Sequence, residues 1–151
     1  MIRPAELEDL DALVALEELC FEGDRLDKGS LRWTLTRPTA LCLVEEADGR
    51  VRGYVLLRSR EGYVRILSLA VDPEARRRGV ARALLAVAER LVRDLGGSSL
   101  VLELREDNAA ALALYESLGF RQTDTLLGYY HDRSDARRMQ KPLEPNDGVL
   151  G

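Results

Sequence analysis

Apolar residues recur at Leu7, Leu10, Leu13, Val14, Leu16 and Leu19 with acidic residues between them, a spacing that predicts an amphipathic helix over about Glu6–Cys20. Ile2 to Pro4, just before it, reads as a short strand. Gly23 breaks the helical period within the polar stretch Glu22-Gly23-Asp24-Arg25-Leu26-Asp27, and Ser30 to Arg37 resumes it until Pro38 ends a second, shorter helix. Leu41–Glu45 and Val51–Ser59 read as strands joined by the turn Ala47-Asp48-Gly49, and Tyr63–Val71 as a third strand of the same region. From Val80 to Leu95 the helical period returns, with Ala81, Leu84, Leu85, Val87, Ala88, Leu91 and Leu95 on one face and Gly96-Gly97 as its stop. Leu100–Leu104 is the next predicted strand and Ala109–Leu118 the next helix, ended by Gly119. Two last strands are expected near Arg121–Tyr130 and Ala136–Lys141.

A strand-helix-strand step from residue 63 to 104 demands a parallel pair with a right-handed crossover, while the hairpins on either side are antiparallel. The fold class is therefore α/β in the broad sense (α+β): a mixed, mostly antiparallel sheet of about seven strands with about four helices. With 151 residues and 46% apolar content, the chain suits one domain, expected over residues 1–143, followed by a disordered tail at 144–151. A net charge of -4 argues against general nucleic-acid binding and suits a cationic substrate. The first residues hold no apolar leader and no stretch approaches 18 uncharged residues, so a cytoplasmic protein without a membrane span is expected. Cys20 and Cys42 stand apart without a partner pattern, so reduced thiols and no metal site are expected, and His131, the only histidine, reads as a surface residue.

Between the apolar stretch Ile66-Leu67-Ser68-Leu69-Ala70-Val71 and the helix from Val80 lies Arg76-Arg77-Arg78-Gly79-Val80-Ala81. A helix N-terminus offers unpartnered N–H groups and partial positive charge, a glycine lets backbone approach a ligand, and three arginines there oppose the helix dipole until an anion relieves them. The run reads as a phosphate cradle. It lacks both the Walker Gly-Lys-Ser/Thr and the dinucleotide Gly-x-Gly-x-x-Gly patterns.

The spacing Arg76-x-x-Gly79-x-Ala81 after Val71-Asp72-Pro73 resembles the acyl-CoA-binding motif of the GNAT superfamily of N-acetyltransferases. The segment Leu100-Val101-Leu102-Glu103-Leu104 through Asn108, Tyr115 and Gly119-Phe120-Arg121 is similar to the strand-to-helix segment of the same superfamily, closest to its RimI-like branch, which acetylates protein N-termini. The two motifs occur in the family's order, and the resemblance covers about Ile2 to Leu143. It implies a central parallel pair that splays apart, acetyl-CoA as co-substrate, and a primary amine as acceptor, most naturally a protein or peptide N-terminus. A small amine or a lysine is the runner-up, and a noncatalytic acyl-CoA-sensing domain is the alternative of a different class. A homo-oligomer stays open.

Acetyl transfer needs a base for the ammonium proton and an acid for the departing thiolate. Alternation along residues 100–104 leaves Val101 and Glu103 on one face, and a carboxylate amid so apolar a strand is expected to have its pKa raised by desolvation, as suits a base. The plain structural alternative is that Glu103 pairs with an arginine. The resemblance implies that Glu103 is the base, directly or through a water, and that Tyr115 is the acid. A phenol near pKa 10 and a thiol near 8.5 lie close enough for that transfer. Tyr115 as ordinary core with a satisfied hydroxyl is the alternative. Asn108 reads as a helix N-cap, and the resemblance adds a contact to the pantetheine arm. It also implies that the backbone of Leu69, Ala70 and Val71 pairs with pantetheine amides, and that Arg76, Arg77, Arg78, Gly79, Val80 and Ala81 hold the pyrophosphate.

Reference pKa values of α-amine and lysine lie roughly 2.5 apart, about 3.4 kcal/mol of deprotonation, which favours a terminal amine. The chain departs from the branch in one place. Asp24-Arg25-Leu26-Asp27 stands where a Pro-Trp-Ser type signature is common, and its one Trp is at position 33; Tyr129-Tyr130 matches an aromatic pair near the acceptor site of that branch, with core or surface packing as the equal alternative.

Overall fold

A computed structural model describes residues 1–144. Of the expected tail, residues 145–151 lie outside the described residues. Seven strands form one sheet in the order β1-β2-β3-β4-β5-β7-β6: β1 Ile2–Pro4, β2 Ala40–Ala47, β3 Arg50–Arg60, β4 Tyr63–Val71, β5 Ser99–Arg105, β6 Arg121–Leu126 and β7 Ala136–Pro142. Four α-helices accompany them: α1 Leu10–Cys20, α2 Lys28–Leu35, α3 Val80–Asp94 and α4 Ala109–Ser117. The recorded ladders are antiparallel except for β4 with β5, where Val64 pairs with Leu100 and Arg65 with Val101. The mixed sheet and the crossover through α3 are as the sequence predicts.

The chain divides into two compact units, Met1–Arg60 with Ile66–Leu91, and Glu61–Arg65 with Val92 onward. The first unit packs one face of α1 (Leu10, Leu13, Leu16) and Leu31 of α2 onto Cys42 and Val44 of β2, Tyr54 and Leu56 of β3 and Ala70 of β4. That face is the middle of the stripe the leucine spacing predicts, whereas Leu7 and Leu19 at its two ends are exposed. The helix itself starts later than expected, because a 3₁₀ turn at Leu7–Asp9 precedes it, fixed by the Asp9 carboxylate accepting from the Glu6 amide at 2.7 Å and from Arg3. Helix α2 starts earlier than expected because Asp27 caps it, accepting from the Ser30 amide at 2.7 Å.

Within this core lies a charge that the pattern does not reveal. Glu17 is 1% exposed. Its Oε2 accepts from the Tyr54 hydroxyl at 2.7 Å and the Ser68 hydroxyl at 2.6 Å, and its Oε1 accepts from the Leu26 amide at 2.8 Å. One carboxylate thereby ties α1 to β3, to β4 and to the α1–α2 connection, and its two oxygens are satisfied as a buried charge requires.

In the second unit β5 pairs along its whole length with β7, which sets Leu102 opposite Met139 and Glu103 opposite Arg138. Strand β6 ends at Leu126, not at Tyr130 as expected. Gly128 turns the chain with φ +62 and gives its N–H to Asp135, and Arg133, also at positive φ, closes a turn onto the Tyr130 carbonyl. Tyr129 and Tyr130 therefore sit in the β6–β7 connection.

Candidate active site

The cradle belongs to the first unit. Ala75 and Val80 are buried at 4% and 5% exposure, and the four residues between them, Arg76 to Gly79, are exposed. The loop is thus pinned at both ends and open between. Arg77 has φ +66 and Gly79 φ +76. A left-handed arginine is a strained conformation of the kind that gathers at ligand sites. Glycine at 79 suits the backbone angle, and a Cβ placed there meets nothing within 4 Å, so the space over this backbone is open. Helix α3 is 15 residues long with no acidic side chain in its first turn, which keeps its N-terminal positive end uncompensated. These features fit the pyrophosphate of a coenzyme A thioester.

Gly53 of β3 seats that helix. A Cβ at Gly53 would stand 3.0 Å from Val80 Cγ1 and 3.1 Å from the Ala70 carbonyl oxygen, so only glycine lets the start of α3 and the end of β4 come this close. Of the backbone groups expected to receive a ligand, the Val71 carbonyl is already taken: it accepts from Cys20 Sγ at 3.3 Å and from Arg76 Nε at 3.2 Å. That corrects the expected roles in part. Arg76 braces the strand end through this bond, and Val71 has no free carbonyl for a ligand, whereas Leu69 and Ala70 carry no such side-chain capture.

The expected catalytic pair belongs to the second unit. Glu103, its side chain 5% exposed, lies between two guanidiniums: Arg65 Nη2 from β4 contacts Oε1, and Arg138 Nε from β7 reaches Oε2 at 3.2 Å. The expectation of an apolar surrounding that desolvates the carboxylate is therefore corrected. Alternation correctly puts Glu103 off the leucine face, but strand register brings Arg138 opposite and Arg65 alongside. The same Arg65 Nη2 donates to the Tyr129 hydroxyl at 2.8 Å. Tyr129 stacks edge-on against Tyr130 with ring centroids 5.1 Å apart, and Tyr130 lies under Arg105, whose guanidinium pairs with Asp132 at 2.9 Å. The Ser134 amide, donating to Asp132 Oδ1 at 3.0 Å, and Arg105 hold the Asp132 carboxyl down at about 2. The tyrosine pair is thus wired to Glu103 through Arg65.

Tyr115 of α4 is 9% exposed, its ring edge-on to Phe120 at 5.4 Å. Its hydroxyl makes no hydrogen bond among the described residues, so the alternative of a core phenol with a satisfied hydroxyl is not what is found. Burial pushes its pKa well above the usual phenol range. The expected near-match of phenol and thiol acidities is corrected accordingly: burial makes Tyr115 a weaker acid than a free phenol, and it holds its proton throughout the neutral range. Asn108 caps α4 as expected, accepting from the Ala111 amide at 3.1 Å.

Sequence reasoning missed Arg65, Arg138, Glu17 and Gly53. The signal for Arg65 was present, since it interrupts the apolar run Tyr63–Val71 as Glu103 interrupts Leu100–Leu104. Among the described residues no group of three His, Cys, Asp or Glu side chains forms a metal site, and no helix is long and apolar enough to cross a membrane.

Comparison with known proteins places these features in a family context. The model of the acetyltransferase (GNAT) family matches residues 10–120, a span that includes parts of both units. The catalytic subunit NAA10 of the N-terminal acetyltransferase A complex of Arabidopsis thaliana is 35% identical over 149 residues, covering 95% of this chain and 78% of that protein. An N-alpha-acetyltransferase of Saccharolobus solfataricus is 29% identical, covering 94% and 92%. The crystal structure of the ribosomal-protein-S18-alanine N-acetyltransferase from Escherichia coli superposes with a TM-score of 0.86 at 28% identity, covering 100% of this chain and 98% of that one.

Proposed function

This chain belongs to the acetyltransferase (GNAT) family, and from that premise we propose that it moves the acetyl group of acetyl-CoA onto the N-terminal α-amine of a protein or peptide. It is an acyltransferase, and acetyl-CoA is its acetyl donor. The observation that carries the choice of acceptor is the 35% identity, over 95% of the chain, to the catalytic subunit of an N-terminal acetyltransferase. Its expected setting is the cytoplasm, as one catalytic domain, and the reading allows for a homo-oligomer.

In this reading the pyrophosphate lies over the amides of Arg77 to Ala81, with Arg78 adding charge, and Leu69, Ala70 and the Asn108 side chain meet the pantetheine arm. The nitrogen lone pair of the acceptor attacks the thioester carbonyl carbon, the carbon–sulfur bond breaks, and coenzyme A leaves as thiolate. Glu103 takes the ammonium proton, directly or through a water. Tyr115 gives its phenolic proton to the sulfur, a role supported by a buried ring whose hydroxyl is not committed elsewhere and remains protonated at neutral pH.

The test is turnover of acetyl-CoA with N-terminal peptides, N-terminally blocked lysine peptides and polyamines, the products mapped by mass spectrometry. Acetyl on the α-amine of the first group is expected. Acetylation confined to lysine side chains or polyamines overturns the reading.

A further inference from the structure

The geometry points to an acceptor that carries a carboxylate within its first two residues, received by Arg65 and Arg138 beside Glu103. The inference deepens the N-terminal acetylation reading and rests on it.

The argument begins with charge. Glu103 supplies one negative charge, and two guanidiniums, Arg65 and Arg138, converge on it, leaving a net positive charge at a nearly buried carboxylate. Of the neighbouring ionic groups, Asp124 stands opposite Arg138 in the β6–β7 ladder but forms no ion pair with it among the described residues, so the ion pairs formed leave this surplus in place. Arg105 is matched by Asp132, and Arg137 donates to the Glu106 carbonyl and the Gln122 side-chain carbonyl, both uncharged acceptors. An acceptor whose amine arrives as an ammonium meets a site that is already cationic. An acceptor that brings a carboxylate close to its amine arrives with its own compensation.

Donor bookkeeping leads to the same place. Arg65 meets both Glu103 and Tyr129 through the single nitrogen Nη2, while its Nε is buried with no hydrogen-bond partner among the described residues. Buried donors are almost always partnered in folded proteins, so this enclosed nitrogen marks a place for a water, and what the two arginines offer a ligand is the exposed part of each fork. Arg138 uses only Nε on Glu103, and its side chain is 40% exposed, that of Arg65 31%. Each guanidinium thus keeps further N–H donors in its planar fork, the geometry that receives a carboxylate with two parallel hydrogen bonds. Tyr129, 43% exposed and bonded to Arg65, holds that fork in place from the solvent side.

The experiment uses wild-type protein, acetyl-CoA and four peptides identical beyond their first two residues: Ala-Ala, Asp-Ala, Ala-Asp and Asn-Ala. The asparagine peptide has the shape of the aspartate peptide without its charge. An acidic acceptor is expected to exceed its neutral counterpart by about 10-fold or more in kcat/KM, mainly through KM, since each tenfold corresponds to about 1.4 kcal/mol, the scale of one charge-assisted contact. Arg138→Gln should collapse the Asp-to-Asn ratio toward one, and Arg138→Lys should retain most of it. Equal turnover of Asp-Ala and Asn-Ala by wild-type protein overturns this inference and leaves N-terminal acetylation standing. If no α-amine is acetylated while lysines or polyamines are, both readings fall.

Discussion

Tyr115 has a buried ring and an uncommitted hydroxyl, and the two properties separate cleanly in one substitution. Tyr115→Phe keeps the ring against Phe120 and removes the proton. Turnover is expected to fall roughly 10²-fold or more, the scale of a positioned acid, with little change in the thermal midpoint. A lower midpoint with turnover intact would assign the hydroxyl to packing. Cys42 makes a different statement about burial. Its thiol is pushed up from 9.0 to about 12, chiefly by desolvation and then by Asp9. The unfolded chain therefore ionises this thiol first as pH rises. Its contribution to stability is complete below about pH 9 and is lost between pH 9 and about 12, with a slope of at most roughly 1.4 kcal/mol per pH unit. Denaturant unfolding measured across that range should show Cys42→Val with a shallower alkaline decline than wild type. Identical slopes would mean that other groups, such as the buried Tyr54 phenol, account for the decline. At this scale the sequence revealed which residue interrupts the leucines of β5. It did not reveal what Glu103 touches, because a period-2 pattern assigns a face and only cross-strand register assigns the neighbour.

Elements were legible where the period was long and the stop was chemical. Strand β4 and helix α3 begin at the residues the pattern predicts, and α3 ends one residue earlier than expected, at Asp94. Leu95, placed on its apolar face by spacing, is 83% exposed, and Val92, left out of that face, is 4% exposed. Positions of this kind are settled by how the last turn is directed before Gly96, which periodicity does not encode. The cradle was legible as composition, while the left-handed backbone at Arg77 was not, since nothing about an arginine announces positive φ. Gly79 provides the test. Gly79→Val sets a β-branched residue at φ +76, which is expected to cost about 1–2 kcal/mol in stability. It also places a branched side chain over the open backbone, so acetyl-CoA affinity measured by calorimetry should weaken by roughly 10-fold or more. Gly79→Asn, which tolerates this backbone better, should recover most of the stability while still obstructing the ligand. Affinity unchanged in both variants would remove the pyrophosphate from this loop.

At the scale of the whole molecule the order β2-β3-β4-β5 follows from two rules available in the sequence, adjacency through hairpins and a right-handed crossover between parallel strands. The exchange at the far edge, with β7 between β5 and β6, is not given by those rules. It reflects the last strand entering beside β5, which also delivers Arg138 to Glu103. Glu17 was invisible for the opposite reason: it sits on the buried face of α1 among residues that the pattern labels acidic and solvated. Glu17→Ala would strand the Tyr54 and Ser68 hydroxyls and the Leu26 amide at once, and with about 1–3 kcal/mol for each buried unsatisfied group it should lower stability by at least about 3 kcal/mol. Glu17→Gln retains an acceptor and should cost less. A loss below about 1 kcal/mol for the alanine variant would mean that the three donors find water.

The bond from the Leu26 amide to Glu17 also bears on how the protein survives proteases. Arg25 is exposed, and the peptide bond that follows it is one trypsin prefers, yet the nitrogen of that bond is tethered to a carboxylate in the interior. A protease must draw a segment of chain out into its own cleft before cutting it. The Arg25–Leu26 bond should therefore outlast exposed arginines that lack such a tether under brief digestion, and in Glu17→Ala, which removes the acceptor, it should become an early nick.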